Sequence, residues 1–175
     1  MRPALDLLTQ YAAHHRDRRN ITGQFVGVPL IVFAVGLLLA RPALEIGGIE
    51  LTPAWIVFAG LVVWYLTRGA FALGAAVSLA TGALLLLAHR VAGGGVWSWL
   101  GWGVGCFGLG WLIQFVGHWY EDKTPAFVDD LSSLVVGPMF VTAEAMFALG
   151  WNAPMLHQIE QRVGPTTMRD LAKIA

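Results

Sequence analysis

Two short polar segments border the long apolar runs of this sequence and hold the side chains best suited to chemistry. The first reads HHRDRRN and begins at His14; the second reads GHWYEDK and places His118 and Glu121 about one helical turn apart. Imidazole nitrogens and carboxylate oxygens bind transition metals, so His118 and Glu121 are candidates for a metal pair. The same spacing also fits an ordinary helix end whose acidic residues lie in solvent.

Helical periodicity adds further residues to the candidates in both polar segments. A helix over about residues 3–18 would be amphipathic, with His15 in the middle of its apolar face, and would lie on the membrane or on the bundle. Gln114 falls on the same helical stripe as His118 and Glu121, at positions i, i+4 and i+7. Taken alone, His15 is also explained as an interfacial histidine without a chemical role.

Two further ionisable residues interrupt apolar runs. His89 ends the third run beside Arg90, and Glu144 lies within the last run. An ionisable group inside a membrane span is costly, which makes such a residue a functional candidate. Glu144 is alternatively a neutral acid that packs the bundle, or forms with His89 the polar pathway of a transporter or channel. The two halves of the sequence show no inverted repeat, which weakens the transporter alternative.

The composition indicates a membrane protein. Of the 175 residues, 57% are hydrophobic and 13% are charged, whereas soluble domains have about 25% charged residues. Eleven basic and eleven acidic residues cancel, so no basic surface for nucleic acid is expected. A single cysteine, Cys106, excludes an internal disulfide and cannot alone hold zinc or an iron–sulfur cluster.

Five apolar runs predict an all-α fold, a transmembrane helical bundle of four or five spans in one domain over residues 1–175. The predicted spans are residues 25–40, 51–67, 69–88, 97–118 and 131–151. A span needs about 20 apolar residues, so the first two runs are short and a re-entrant hairpin stays open. A soluble bundle of buried helices is the alternative, although most of the chain has no polar face.

The distribution of basic residues predicts a cytoplasmic N-terminus, because arginines cluster before the first span. The C-terminal tail is also basic, which conflicts with five spans and leaves the span count open. With five spans, four crossings separate the two polar segments, so His15, His118 and Glu121 would meet on one side and His89 would lie on the other. The sequence leaves the oligomeric state open.

Four separated blocks of the sequence carry a family resemblance. They read HRDRRNITGQFVGVP, AHR, GWLIQFVGHWYEDKTPAFVDDL and GPMFVTAEAMFALG, between about Tyr11 and Gly150. They resemble the small multi-pass membrane family of the yeast 2-hydroxy fatty acid α-dioxygenase of phytosphingosine breakdown, which has many bacterial relatives. The resemblance implies an Fe(II)-dependent dioxygenase that uses O2 to shorten a 2-hydroxy fatty acid by one carbon, with release of CO2. The alanine- and glycine-rich composition favours a bacterial inner membrane over the endoplasmic reticulum.

The resemblance also implies roles for single residues. The implied catalytic residues are His15, His118 and Glu121, although this chain is one residue shorter between the last two than the family is. The implied iron ligands are His15, His89, His118 and Gln24. The residues implied to bind substrate are Asn20, Arg19 and Lys123, of which the two cations are also explained as solvated or lipid-facing charges. Those implied to support the ligands are Gln114 and Glu144.

One position departs from the family pattern. Four residues after Asn20 the family usually has a histidine, whereas this chain has Gln24. An amide oxygen is a weaker ligand for Fe(II) than an imidazole nitrogen is. A catalytically inactive membrane protein that binds lipid or has a structural role is therefore the alternative function.

Overall fold

The computed structural model of the chain describes residues 2–41, 43–47, 49–121 and 132–168. In these ranges the helices are α1 (Ala4–Ala12), α2 (Arg18–Leu39), α3 (Pro53–Leu66), α4 (Phe71–Ala92), α5 (Val96–Glu121), α6 (Ser133–Ala148) and α7 (Ala153–Val163). A short antiparallel hairpin, β1 (Leu44–Ile46) and β2 (Ile49–Leu51), connects α2 to α3. The prediction of an all-α fold is confirmed.

Three helices, α2, α4 and α5, are long and apolar enough to cross a membrane, which indicates a membrane protein. The second apolar run forms only the 14-residue helix α3, shorter than a typical span. The last run bends by 118° between α6 and α7, because Gly150 and Asn152 adopt positive φ angles and Asn152 caps α7. The described residues therefore offer three spans, or four if the bent pair counts as one. The sequence analysis predicted four or five spans, and the described residues do not provide five.

The pair formed by α2 and α5 is the centre of the bundle. The helices run antiparallel and approach closely at glycines. A Cβ added at Gly110 would lie 2.9 Å from the carbonyl oxygen of Gly27, and a Cβ added at Gly117 would overlap Oδ1 of Asn20. These glycines bring the start of α2 against the end of α5, where the two polar segments of the sequence lie.

Helix α1 packs on the bundle through its apolar face. Leu7, Leu8 and Tyr11 are buried, and α1 contacts α6 and α7. The helix ends at Ala12, several residues before the predicted end near residue 18. The reason is Asp17, whose side chain accepts a hydrogen bond from the backbone N–H of Arg19 and thereby caps a new helix. His15 thus lies in the connection between α1 and α2.

Residues 164–167, which we call the C-terminal strap, lie beside this connection. The backbone N–H of Arg18 donates to the carbonyl oxygen of Thr167 at 2.9 Å, and the N–H of Thr167 donates to the carbonyl oxygen of Arg16 at 2.9 Å. The guanidinium of Arg16 also donates to the carbonyl oxygen of Gly164 at 2.8 Å. The two ends of the described chain are therefore joined next to His15.

Candidate functional site

Two buried imidazoles meet where the α1–α2 connection packs against the end of α5. His15 is 1% exposed and His118 is 9% exposed, and their ring centroids lie 5.0 Å apart. Four helices, α2 to α5, separate the two residues along the chain, and the structure returns both to one end of the bundle. The Tyr11 ring stacks on His15 at 4.2 Å and fixes the plane of its imidazole.

The hydrogen bonds of His15 define its tautomer. Its Nδ1 lies 2.8 Å from the carbonyl oxygen of Tyr11, which can only accept, so Nδ1 carries the proton and donates. Burial lowers the pKa of His15 to about 3, so the ring is neutral near pH 7. Its Nε2 is then a lone-pair donor, and this atom has no hydrogen-bond partner among the described residues. A neutral imidazole oriented by a carbonyl is typical of a metal ligand.

Other buried polar atoms near the two imidazoles also have no hydrogen-bond partner within the described part of the chain. They are Nδ1 of His118, Oδ1 of Asn20, Nε2 of Gln24 and Nε2 of Gln114. Buried polar atoms without a partner are rare in folded proteins. Several of them at one end of a bundle point to a polar ligand, an ion or ordered water at this place.

Glu121 ties the two polar segments together. Its Oε1 accepts hydrogen bonds from the backbone N–H of Asp17 at 2.7 Å and from Nδ2 of Asn20 at 3.1 Å. The carboxylate thereby fixes the start of α2 against the end of α5. Glu121 stays a predicted catalytic residue, and these contacts also let it position the connection that holds His15.

The three residues predicted to bind substrate differ from one another in their surroundings. Asn20 is buried beside Glu121. The guanidinium of Arg19 forms an ion pair with Asp17, with Nη2 2.7 Å from Oδ2, and lies over the Tyr120 ring. Arg19 is thus engaged with the helix cap. Lys123 lies outside the described residues.

Gln24 and Gln114 both lie near the imidazoles. The Oε1 of Gln24 accepts a 3.3 Å hydrogen bond from the Tyr11 hydroxyl. The side chain is therefore held one helical turn beyond Asn20, where the family resemblance expects a metal ligand. Gln114 is buried and lines the cavity next to His15 and His118.

The structure does not bring His89 to this site. Its Nε2 lies 2.9 Å from the Thr52 hydroxyl, its Nδ1 lies 2.9 Å from the carbonyl oxygen of Leu85, and Trp55 stacks on its ring. It lies near the far end of α2, which is about 30 Å long at 1.5 Å per residue. One ring nitrogen contacts the backbone of α4 itself, and the other contacts Thr52 at the start of α3, so both are engaged away from the site.

Glu144 lies near the back of the site. It is half-buried in α6. Burial lowers the pKa of the Arg16 guanidinium, and the negative charge of Glu144 partly offsets this lowering. Glu144 therefore interacts electrostatically with the α1–α2 connection, and its supporting role stays a prediction.

Sequence reasoning gave no role to two neighbours of the imidazoles. His14 interacts electrostatically with both His15 and His118, so a third histidine is close by. Tyr11 stacks on His15 and bonds Gln24. Both carried a signal in the sequence, since His14 adjoins His15 and Tyr11 precedes it by one helical turn.

Two cavities adjoin at this end of the bundle. The first, the site cavity, measures about 70 Å³, and its mainly apolar lining includes the polar side chains of His15, His118 and Gln114. The second, the apolar cavity, measures about 350 Å³ and extends between α2, α3, α4 and α5. The residues that line both are Ile31, Val32, Trp111, Leu134 and Pro138. A polar site therefore opens into an apolar one.

The donor atoms in the site cavity suit a transition metal only in part. Within the described ranges, no three His, Cys, Asp or Glu side chains are arranged to hold a metal ion. The site offers the imidazoles of His15 and His118, and the buried amide oxygens of Asn20 and Gln24 are further donors at this end of the bundle. Two imidazoles with one oxygen ligand is a donor set that Fe(II) accepts in non-haem oxygenases, where the oxygen is usually a carboxylate.

Comparison with known proteins places these residues in one family. Residues 1–149 match the family model described as 2-hydroxy-palmitic acid dioxygenase Mpo1-like. The chain is 33% identical over 167 residues to the 2-hydroxy-palmitic acid dioxygenase MPO1 of Saccharomyces cerevisiae, an alignment that covers 89% of this chain and 91% of the yeast protein. No solved structure matches the chain significantly. Because the family model covers both polar segments and the helices between them, the chain belongs to the Mpo1-like family.

Proposed function

We propose that this protein is a membrane-embedded Fe(II)-dependent dioxygenase that shortens 2-hydroxy fatty acids by one carbon. The proposal is supported by the family and the yeast relative, which are both named as 2-hydroxy-palmitic acid dioxygenases. In the balanced reaction, R–CHOH–COOH and O2 give R–COOH, CO2 and H2O. The C1–C2 bond breaks, C2 is oxidised to the new carboxyl carbon, and O2 is reduced.

The observation that carries the proposal is the pair of buried imidazoles beside an apolar cavity. His15 presents an unprotonated Nε2, and His118 lies 5.0 Å away between ring centroids. Both line the site cavity, which adjoins the larger apolar cavity. A substrate with a polar head and a long alkyl tail needs these two environments side by side.

The residues that would hold the iron are His15 and His118, with an amide oxygen of Gln24 or Asn20 as the third protein ligand. When bound, Fe(II) supplies the redox chemistry that lets O2 react with the 2-hydroxy acid. The carbonyl oxygen of Tyr11 keeps Nδ1 of His15 protonated and Nε2 free to bind. Glu121 holds the α1–α2 connection against α5, so it keeps His15 beside His118.

Two amide groups are suited to the substrate head. The Nε2 atoms of Gln24 and Gln114 are buried donors without a partner among the described residues. A carboxylate accepts such N–H groups readily. We infer that one or both amides orient the carboxylate and the 2-hydroxyl group, so that the C1–C2 bond lies beside the imidazoles.

The proposal is tested by iron content and product analysis together. The protein is purified in detergent without oxygen, its iron is measured, and a 2-hydroxy fatty acid and O2 are added. We expect stoichiometric iron and an acid one carbon shorter, both lost in His15→Ala and in His118→Ala. His157→Ala is the matched control, because His157 is exposed on α7 and should keep both properties.

The same experiment decides against the alternative function, an inactive lipid-binding or structural member of the family. In that case the natural chain would bind no iron and form no product, and both would appear in Gln24→His. An iron-loaded protein that forms no shortened acid from any 2-hydroxy acid would contradict the dioxygenase proposal.

A further inference from the structure

The residues that line the apolar cavity suit the binding of an alkyl chain. Along its described lining there is no charged side chain, and its volume of about 350 Å³ lies in the usual range for ligand sites. The hydroxyl of Tyr65, one of its few polar groups, already donates to the carbonyl oxygen of Val135 at 2.8 Å. A molecule in this cavity would therefore be held mainly by apolar contacts.

The apolar cavity continues from the site cavity. The shared wall includes Ile31 and Val32 of α2, Trp111 of α5 and Pro138 of α6. A ligand with its head near His118 would pass Trp111 to reach the apolar cavity. The site cavity and the apolar cavity together therefore suit a molecule with one polar end and one long apolar end.

The depth of the two cavities suits a long chain. Along α5 the lining extends from His118 to Phe107, and along α2 from Val28 to Leu39. Each range covers about 16 Å of helix at 1.5 Å per residue. In an extended polypeptide backbone, three bonds span about 3.3–3.6 Å, so an extended carbon chain advances about 1.2 Å per bond. A length of about 16 Å therefore holds about 13 or 14 carbons in line.

At its far end the apolar cavity is bordered by a glycine, Gly36, which lies close to Leu85. Gly36 lines the cavity one helical turn before Leu39, and Leu85 of α4 lies opposite. A Cβ added at Gly36 would lie 3.0 Å from Cδ1 of Leu85. A larger residue at position 36 would fill the end of the cavity or push the flexible end of Leu85 into it.

We propose that the apolar cavity binds the alkyl tail of the substrate, and that Gly36 and Leu85 set the longest tail that fits. This inference rests on the proposed function, because it places the head of a 2-hydroxy acid in the site cavity. The tail would enter sideways from the bilayer, since Val35 and Val57 line the cavity and are exposed on the outer surface of the bundle.

The test changes the length of the cavity in opposite directions. Gly36→Leu shortens it by about one helical turn, or 4–5 Å, and Leu85→Ala lengthens it. Gly36→Ala is the milder variant in case Gly36→Leu does not fold. Gly60→Leu is the matched control, because Gly60 is an exposed helical glycine of α3 with open space around it.

Binding is measured in detergent by competition with a fluorescent fatty acid, for 2-hydroxy acids of about ten to about twenty carbons, which bracket the cavity at about 1.2 Å per bond. We expect Gly36→Leu to lower the preferred length by about four carbons at that advance per bond, and to weaken binding of the longest chains at least roughly tenfold. Gly36→Ala should shift the preference in the same direction by less, Leu85→Ala should raise the preferred length, and Gly60→Leu should match the natural chain.

Product formation is followed in parallel, so that the two proposals fail separately. A shift in preferred length without any shortened acid supports the tail site and contradicts the oxidation. Shortened acid with the same preferred length in all variants supports the oxidation and overturns the tail site. A bilayer lipid that stays bound in the cavity, seen by mass spectrometry and not displaced by 2-hydroxy acids, also overturns it.

Discussion

At the scale of single residues, the site depends on how the protein holds a histidine that it has buried. The His15 ring is stacked on Tyr11 and donates to the backbone of the same residue, one helical turn earlier. Its remaining nitrogen is thereby both neutral and aimed away from the backbone. The cost is that the folded protein must keep a basic group out of water.

Burial of His15 makes the metal-free fold sensitive to acid. The pKa of His15 is lowered from 6.5 to about 3, so between these pH values the unfolded chain binds a proton that the folded chain does not. The free energy of unfolding therefore falls as the pH falls through this window, by of the order of 4 kcal/mol for this group. We expect the thermal unfolding midpoint of the metal-free protein in detergent to drop from about pH 6.5 downwards.

The control is a comparison of two histidine variants. His15→Gln should flatten part of this pH dependence, because the unfolded chain loses the titrating group. His157→Gln should leave it unchanged, since His157 is exposed. Equal slopes in both variants and in the natural chain would show that His15 is not the source.

At the scale of elements, the close approach of α2 and α5 brings the two polar segments together. Gly117 is the critical position, because it leaves room for the buried side chain of Asn20. Asn20 in turn donates to Glu121 on the next turn of α5. A change in this helix contact therefore reaches the site through the residues that hold the α1–α2 connection.

Gly117→Ala should harm both stability and activity. The added methyl group would overlap Oδ1 of Asn20, and overpacking of this kind costs about 1–3 kcal/mol. Gly105→Ala, on the same helix with nothing within 4 Å of its added Cβ, should be neutral or slightly stabilising. Unfolding midpoints and iron content of the two variants are compared. A Gly117→Ala protein as stable and as rich in iron as Gly105→Ala would refute this role.

The sequence predicts some elements well and others poorly, for physical reasons. The long apolar runs predict α2, α4 and α5, because backbone groups in a bilayer must be satisfied within each helix. The predicted end of α1 near residue 18 overlooked the capping tendency of Asp17. The last predicted span, residues 131–151, ran past the end of α6 at Ala148, because the positive φ angles of Gly150 and Asn152 turn the chain into α7.

The candidate site was predictable in its outline and not in its details. A five-span count placed His15 and His118 on one side and His89 on the other. The helices bring His15 to His118 and leave His89 near the far end of α2, although the described residues offer three or four spans. The contacts of Glu121 with Asp17 and Asn20 depend on side-chain geometry between distant segments. No local pattern encodes them, and the same holds for the hydroxyl of Thr52 that engages His89.

At the scale of the whole molecule, the C-terminal strap joins the end of the described chain to the connection that holds His15. The join uses backbone groups, since the N–H of Thr167 donates to Arg16 and its carbonyl accepts from Arg18. These backbone contacts do not depend on which side chain occupies position 167. The strap itself lies beyond residues 1–149, which the family model matches, whereas Arg16 and Arg18 lie within them.

Thr167→Pro should loosen the site without disturbing the bundle. Proline has no backbone N–H, so the bond to the carbonyl oxygen of Arg16 is lost. Thr167→Ala keeps the N–H and is the matched control. We expect faster hydrogen exchange at Arg18 and roughly tenfold weaker iron binding in the proline variant, about 1.4 kcal/mol, comparable to one lost hydrogen bond. Unchanged exchange and iron affinity in Thr167→Pro would show that the strap does not support His15.

The strap also delays completion of the site during synthesis. A ribosome delivers Arg16 long before Thr167, so the connection that bears His15 waits for its partner while the helices between them are made. Helices α2 to α5 are complete before that moment. A nascent chain that has not yet reached Thr167, or one cut short before it, would have its membrane helices and an unfinished site. Maturation of the site would then begin only when Thr167 has left the ribosome.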